Sequence, residues 1–481
     1  MNNKIIENST RRINDFMRMR ELGLIEKSGD FFPSVHYPPI TMYPPITEEE
    51  LFAGYTLPAD GLFDVYVHIP FCLQRCLFCH YPLELGNGKE QGSKKDKYLA
   101  ALDKEMALYC ARLGVDRIRT RSILVGGGTP TFLSLEQLIR FFDSLNSHVE
   151  IPEGTQFSYD VDPNTLIGKE GMERLKILKA NGVNRLTIGV QSLDDEILHL
   201  MNRHHTSEEA IESIRVSRDM GFQVNIEFIF GYPGQTLENW IKVVEKAVTL
   251  DVEEIQFYRL KVEAYGDYQG PIKNIKKKHP DKVPTFEEAI LMKQCAIEIL
   301  EKNGYYENLR RVFSRKPEHY SHYAHNQCCM LYDEVGFGLT AFSSLRNRFA
   351  LNAQSFEEYY ALIDSGKLPI NRGLVRSREE QLRWAVVLPL KNRSVRKRDY
   401  LRATGETIDG KFSEKFSLLK KYGLVEEDEK EIKLTKLGSF FADEVAQQFH
   451  NSEYAPFSQD CYESGPLSPY KNTDVLAGGE L

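Results

Sequence analysis

Three cysteines within eight residues constrain this chain more than any other feature. The stretch from Asp64 to Tyr81 reads DVYVHIPFCLQRCLFCHY: a short apolar strand, a stop at Pro70, then Cys72, Cys76 and Cys79 in a CxxxCxxC spacing. Three thiolates on a short loop can hold three corners of a cubane iron–sulfur cluster, leaving the fourth iron without a protein ligand. Zinc is the alternative, because His80 or His68 would complete a Cys₃His set. Structural zinc motifs, however, pair two short ligand clusters separated by roughly a dozen or more residues. No second CxxC follows here.

Composition narrows the class. A length of 481 residues suggests about three domains, and 42% hydrophobic with 27% charged residues is ordinary for a soluble globular protein. The net charge of −8 gives no general attraction for phosphate, so no nucleic-acid partner is expected. The basic run KNIKKK, Lys273 to Lys278, reads as a solvated loop. Eight irregularly placed cysteines are too few for a disulfide scaffold and, with the ligand motif, point to a reducing cytoplasm. Neither a signal peptide nor a membrane span is expected, since no apolar run is long enough.

Residues 1–61 read as a leader and proline-rich strap. Ile13, Phe16, Met17 and Met19 suggest an amphipathic helix, and the tandem YPPIT at Tyr37 and Tyr43 forces an extended path across a domain surface. Thr47 with Glu50 is a capping-box spacing that restarts helix. From residue 62 to 260, strand-like runs alternate with helical patterns, as repeated βα units do: Phe63 to Ile69, Ser122 to Val125, Gln156 to Val161, Arg185 to Val190, Val224 to Phe230 and Glu254 to Tyr258. Six strands suggest a partial barrel, with ligand chemistry at their carboxyl ends.

The polar motifs fall at those ends. Gly126, Gly127 and Gly128, followed by Thr129, follow the second strand, Asp160 and Asp162 stand at the end of the third, Gln191 follows the fourth with Arg203 beyond it, and Glu227 lies near the end of the fifth. Consecutive glycines let a backbone approach a ligand closely, although such a triplet also serves as a plain tight turn.

Residues 261–371 extend the barrel and read as the segment lining a substrate chamber. His319, His322 and His325, then Cys328 and Cys329, raise a second metal site, but their spacing does not gather them around one point. Residues 372–450 look like a winged-helix-type α+β cap: Phe412, Phe416, Leu419 and Tyr422 form a stripe ended by Gly423, before an acidic hairpin. Residues 451–481, rich in Ser, Pro and Gly, read as a flexible tail.

The run YVHIPFC followed by CLFC resembles the radical SAM superfamily, and within it the oxygen-independent coproporphyrinogen III oxidase-like group, which includes haem-chaperone relatives and class C methyltransferases. The resemblance implies a partial (β/α)₆ TIM-like barrel, a 4Fe–4S cluster on Cys72, Cys76 and Cys79, and S-adenosylmethionine (SAM) chelated to the open iron. One electron then splits the sulfonium to a 5′-deoxyadenosyl radical, which implies a one-electron donor such as flavodoxin or ferredoxin and a small-molecule substrate. It implies further that Gly126 to Thr129 meet the methionyl amino group, Asp160 and Gln191 the nucleoside and methionyl parts, Arg203 the carboxylate and Glu227 the ribose. Phe78 would lie near the adenine, Tyr66 near the sulfonium and Phe342 near a second SAM. The commoner pattern has Glu at Asp160 and Asp at Glu227, and authentic coproporphyrinogen oxidases carry a cysteine where Tyr81 stands. The expected chemistry is therefore methyl or methylene transfer of the class C type, with one SAM or two. The alternatives are coproporphyrinogen-oxidase-like decarboxylation and haem handling.

Overall fold

A computed structural model describes residues 2–29, 32, 35–86, 88–261 and 271–471. Its centre is an α/β sheet. Strands β1 (Leu62–Ile69), β2 (Ile118–Gly127), β3 (Gln156–Val161), β4 (Arg185–Gln191), β5 (Gln223–Phe230) and β6 (Glu254–Arg259) run parallel in that order. Each is joined to the next through helix, the first by Gly88–Leu113 and the fifth by Leu237–Thr249. Alternation explains the two faces. On β1, Phe63, Val65, Val67 and Ile69 are each at most 1% exposed in the hydrophobic core, leaving Asp64, Tyr66 and His68 on the opposite face.

A hairpin, β7 (Tyr306–Leu309) and β8 (Val312–Ser314), adds antiparallel to β6. At the other edge β9 (Glu334–Phe337) lies parallel to β1, and β10 (Phe342–Leu345), β11 (Arg348–Asn352) and β12 (Ile370–Val375) continue the sheet. The sheet thus crosses the expected boundary at 260. In-register pairing sets Asp64 beside Glu334, and both are fully buried. Asp64 accepts from Ser122 and from Asn326 Nδ2 (2.9 Å), Glu334 from the Tyr323 hydroxyl, and Arg185 is ion-paired to Glu254.

The cap carries β13 (Ser394–Arg396), β14 (Val425–Glu427) and β15 (Glu431–Leu434) as an antiparallel sheet in the order β13-β15-β14. Its core is shared with the leader. Phe16, Met19, Leu24, Ile25 and Tyr37 pack with Trp384, Leu388, Phe416 and Phe449, each such burial stabilising by about 1.5–3 kcal/mol. The helix Asn2–Glu21 closes with Leu24 N donating to Met19 O (3.0 Å) and Gly23 N to Arg20 O (2.9 Å), Gly23 taking φ +77°.

The strap packs across the domain surface with its aromatic rings turned inward: Tyr37 is 1%, Tyr43 4% and His36 7% exposed, while Met42 faces solvent. Two expectations are corrected. Lys273 to Lys278 are helical, within Pro271–Lys278, because Pro271 supplies a preset φ for the first turn and fully buried Ile272 anchors the helix to Ile197, Met201 and Tyr232. The tail is packed as far as residue 471. Leu467 is fully buried, its N–H reaches Leu22 O at 2.9 Å, and Gln448 Nε2 holds its carbonyl at 2.7 Å. Residues 472–481 lie outside the described residues.

Candidate active site

The cysteine loop begins where β1 ends, and its neighbours grip it. Glu84 N donates to Pro70 O (2.8 Å), Gly128 N to Ile69 O (2.9 Å) and Thr129 N to Phe71 O (2.8 Å). Asn202 is tied to the loop twice: Gln74 Nε2 donates to Asn202 O (2.9 Å), and Asn202 Nδ2 donates to Arg75 O (2.8 Å). All three cysteines are free thiols. Cys72 Sγ lies 3.4 Å from Thr129 Oγ1, and Arg203 Nη1 donates to Cys76 Sγ at 3.2 Å.

The glycine run keeps this space open. A Cβ on Gly128 would stand 2.9 Å from Cys72 Sγ and 2.8 Å from Phe71 O, and one on Gly126 would stand 2.5 Å from Asp160 Oδ2. Gly127 takes φ +117°, which L side chains rarely adopt. Among the described residues no three His, Cys, Asp or Glu side chains meet around one metal-ion position. Burial pushes the Cys72 thiol up to about 12 and raises Cys79, so iron binding there displaces protons. The residues fit the cluster that the motif implies.

Beyond the loop, Asp160 and Glu227 face the same opening from β3 and β5. Burial pushes Asp160 up to about 7 against the pull of Arg185. Burial and then the Asp160 charge push Glu227 up to about 8, and the Tyr258 hydroxyl donates to Glu227 Oε1 at 3.2 Å. Asp162 behaves oppositely: although burial raises it, Arg203 and His204 hold it below the usual carboxylate range. Arg203 Nη2 donates to Asp162 Oδ2 (2.7 Å) and to Gly189 O (2.9 Å), so the guanidinium bridges the ligand loop to the strand ends. Gln191 ends β4 at φ 67°, with Nε2 3.0 Å from where a Gly189 Cβ would lie.

Tyr66 OH lies 3.0 Å from His68 Nδ1. Its ring is near-parallel to Phe342 at 6.4 Å, and Phe342 stacks on Phe349 at 5.2 Å. Phe78 packs on the cluster of Ile197, Met201, Ile229 and Tyr232. The structure therefore brings together Cys72, Cys76, Thr129, Asp160, Glu227 and Arg203, and sets Tyr66 and Phe342 along one wall. His322 to His325 form one helical turn followed by a π-helical turn, Asn326–Met330.

Several groups here carry no linear signal. His36, from the strap, stands edge-on to Phe342 at 4.4 Å. At the rim, Lys261, Arg310, Arg311 and Lys391 gather around Asp443, which accepts from Arg310 and, at 3.3 Å, from Arg311. Burial, then the neighbouring cations, lower Lys261 to about 8; burial and Arg310 lower Lys391 to about 8.

Residues 66–247 match the family model described as the radical SAM superfamily. This chain carries a radical SAM domain. Among curated relatives, a heme chaperone, HemW of Bacillus subtilis (strain 168), is 29% identical over 80% of this chain and 98% of its own length. An oxygen-independent coproporphyrinogen III oxidase of Helicobacter pylori (strain ATCC 700392 / 26695) is 27% identical over 80% and 85%. The solved coproporphyrinogen III oxidase HemN of Escherichia coli superposes with a TM-score of 0.74, covering 87% of this chain and 96% of that one at 24% identity, which shows the shared fold. The chain is a radical SAM enzyme, similar to the coproporphyrinogen oxidases, and the superfamily implies a 4Fe–4S cluster and SAM. Among the described residues no helix is long and apolar enough to cross a membrane.

Proposed function

We propose that this radical SAM enzyme carries out coproporphyrinogen-oxidase-like oxidation of an acidic small molecule. The relatives favour this alternative over the expected class C methyl transfer, because the coproporphyrinogen oxidases match across most of the chain. The observation that carries the reading is the rim, where among the described residues four cations, Lys261, Arg310, Arg311 and Lys391, surround the Asp443 carboxylate. Glu444 beside it is raised toward its neutral form, by burial and then by Asp443. A buried cluster of cations around one carboxylate suits a carboxylate-bearing ligand.

When bound, the cluster and SAM supply a 5′-deoxyadenosyl radical after one-electron reduction by a donor of the flavodoxin or ferredoxin type. The chain's own groups do the rest. Cys72, Cys76 and Cys79 hold the cluster, and the Gly126–Gly128 run leaves room beside it. Arg203, fixed by Asp162, offers a guanidinium to the SAM carboxylate, while Asp160, Gln191 and Glu227 accept from its nucleoside and methionyl parts. Tyr66 and Phe342 exclude water along one side, and Phe78 closes the adenine side.

Anaerobically reconstituted enzyme given SAM, a reductant, coproporphyrinogen III and a one-electron acceptor should form 5′-deoxyadenosine and carbon dioxide together, the acceptor taking the electron that the substrate radical gives up as carbon dioxide leaves. S-Adenosylhomocysteine with a methylated product would restore the methyl-transfer reading. A second reading, haem handling, is favoured by the likeness to the B. subtilis heme chaperone along nearly that protein's whole length. A stoichiometric Soret band on haem titration, without substrate turnover, would select it.

A further inference from the structure

The basic run Lys273 to Lys278 stands out in a chain of net charge −8: between residues 271 and 282 five lysines stand with one acid, Asp281. The helix that carries it, Pro271–Lys278, docks beside the cysteine loop. Its inner side, Ile272 and Ile275, joins the apolar cluster of Ile197, Met201 and Tyr232, into which Phe78 packs from between Cys76 and Cys79. Main-chain bonds continue the connection: Leu77 N donates to Met201 O (3.1 Å), and Gly234 N to Lys282 O (2.8 Å) just beyond the helix. The outer side is charged. Helical spacing turns Lys273 and Lys277 away from the two isoleucines, and both are exposed, as are Lys276, Lys278 and Lys282. The neighbouring surface is apolar: Leu73, next to Cys72, is 39% exposed, and Leu200, next to Met201, 42%. Exposed leucines bordered by charge of one sign mark an interaction surface.

We propose that the helix Pro271–Lys278, with Leu73 and Leu200, is the docking surface for an acidic one-electron carrier protein. Charge complementarity selects the occupant: the lysines draw a negative patch and hold it in register, and the loop of Cys72, Cys76 and Cys79 beside them is where an electron has to arrive. A bilayer fits less well, because the helix has already buried its apolar side against the barrel and has none to insert. One electron crosses to the cluster position, the carrier is oxidised by one electron, and no bond forms or breaks. The proposal rests on the radical SAM reading.

The test titrates the reconstituted full chain with oxidised flavodoxin, an acidic flavin carrier, by calorimetry at low and high salt. A second measurement follows electron transfer, read anaerobically as flavodoxin semiquinone formed from the hydroquinone in the presence of SAM. Lys277→Glu/Lys278→Glu reverses two exposed charges on the helix, and Lys420→Glu/Lys421→Glu makes the same change on the cap. The dissociation constant should rise about tenfold in the helix variant at low salt, equivalent to about 1.4 kcal/mol, and the gap should close at high salt. Semiquinone formation at limiting flavodoxin should slow about tenfold as well, while iron per chain and reduction by dithionite, which needs no docking, stay at wild-type values. The cap variant should behave as wild type. Equal affinity and rate in wild type and helix variant overturn the proposal. So does an equal loss in both variants, which marks a net-charge effect, and so does binding of the helix lysines to phosphatidylglycerol vesicles with none to flavodoxin. Wild-type protein that takes up iron but is not reduced by dithionite overturns the radical SAM reading, and the proposal with it.

Discussion

The carboxylates at the mouth have a protonation that SAM should feel. Asp160 holds its proton to about 7 because it is buried, and Glu227 to about 8 because it is buried and faces the Asp160 charge. An incoming sulfonium favours their charged forms. SAM affinity should therefore rise with pH between about 6 and about 9, with proton release on binding, and Asp160→Asn should flatten the slope. A slope of opposite sign by dialysis at several pH values would contradict the assignment. The same shifts destabilise the empty fold as pH rises through this window, because the native state retains protons that the unfolded chain releases above its ordinary carboxylate range. Gly128 is equally specific. In Gly128→Ala the methyl meets Cys72 Sγ and the Phe71 carbonyl, so iron content after reconstitution should fall severalfold while secondary structure by circular dichroism stays close to wild type. Full iron loading would show that the cradle is looser than the structure makes it.

Among the elements, the strands were the most legible in the sequence. Gln156–Val161 coincides with its expected bounds, and the other five expected strands each lie within an observed one, because period-two alternation and a glycine or proline stop mark both ends. The strap was the least legible. Its prolines announce an extended path, but its burial depends on aromatic neighbours such as Phe349, His450 and Tyr454, all hundreds of residues away. The leader's role follows from that burial. Phe16 and Met19 complete the cap's core, so Phe16→Ala should cost about 3–5 kcal/mol and lower the cap's melting transition by calorimetry. An unchanged transition would show that the cap folds without the leader.

For the whole molecule, the site divides by its distance along the chain. The cysteine motif, the glycine run and the strand-end Asp160, Gln191, Arg203 and Glu227 could be read because each follows a recognisable strand, and a βα fold gathers strand ends at one face. The rim could not, since Lys261, Arg310, Arg311, Lys391 and Asp443 converge from the end of β6, a hairpin and the cap, where no local period links them. If this rim holds an acidic substrate, Lys391→Met should raise the substrate KM about tenfold or more, with SAM affinity unchanged. An unaltered KM would remove the rim from substrate binding. The central claim, that the three-thiol loop supports reductive SAM cleavage, has a direct measurement: 5′-deoxyadenosine formed per chain by anaerobically reconstituted protein given SAM and a strong reductant, beside Cys76→Ala. The account predicts the product in the wild type and none in the variant, which should also lose its iron. Product formation that survives in Cys76→Ala, or a wild type that holds iron, SAM, reductant and substrate yet forms no 5′-deoxyadenosine, would contradict it.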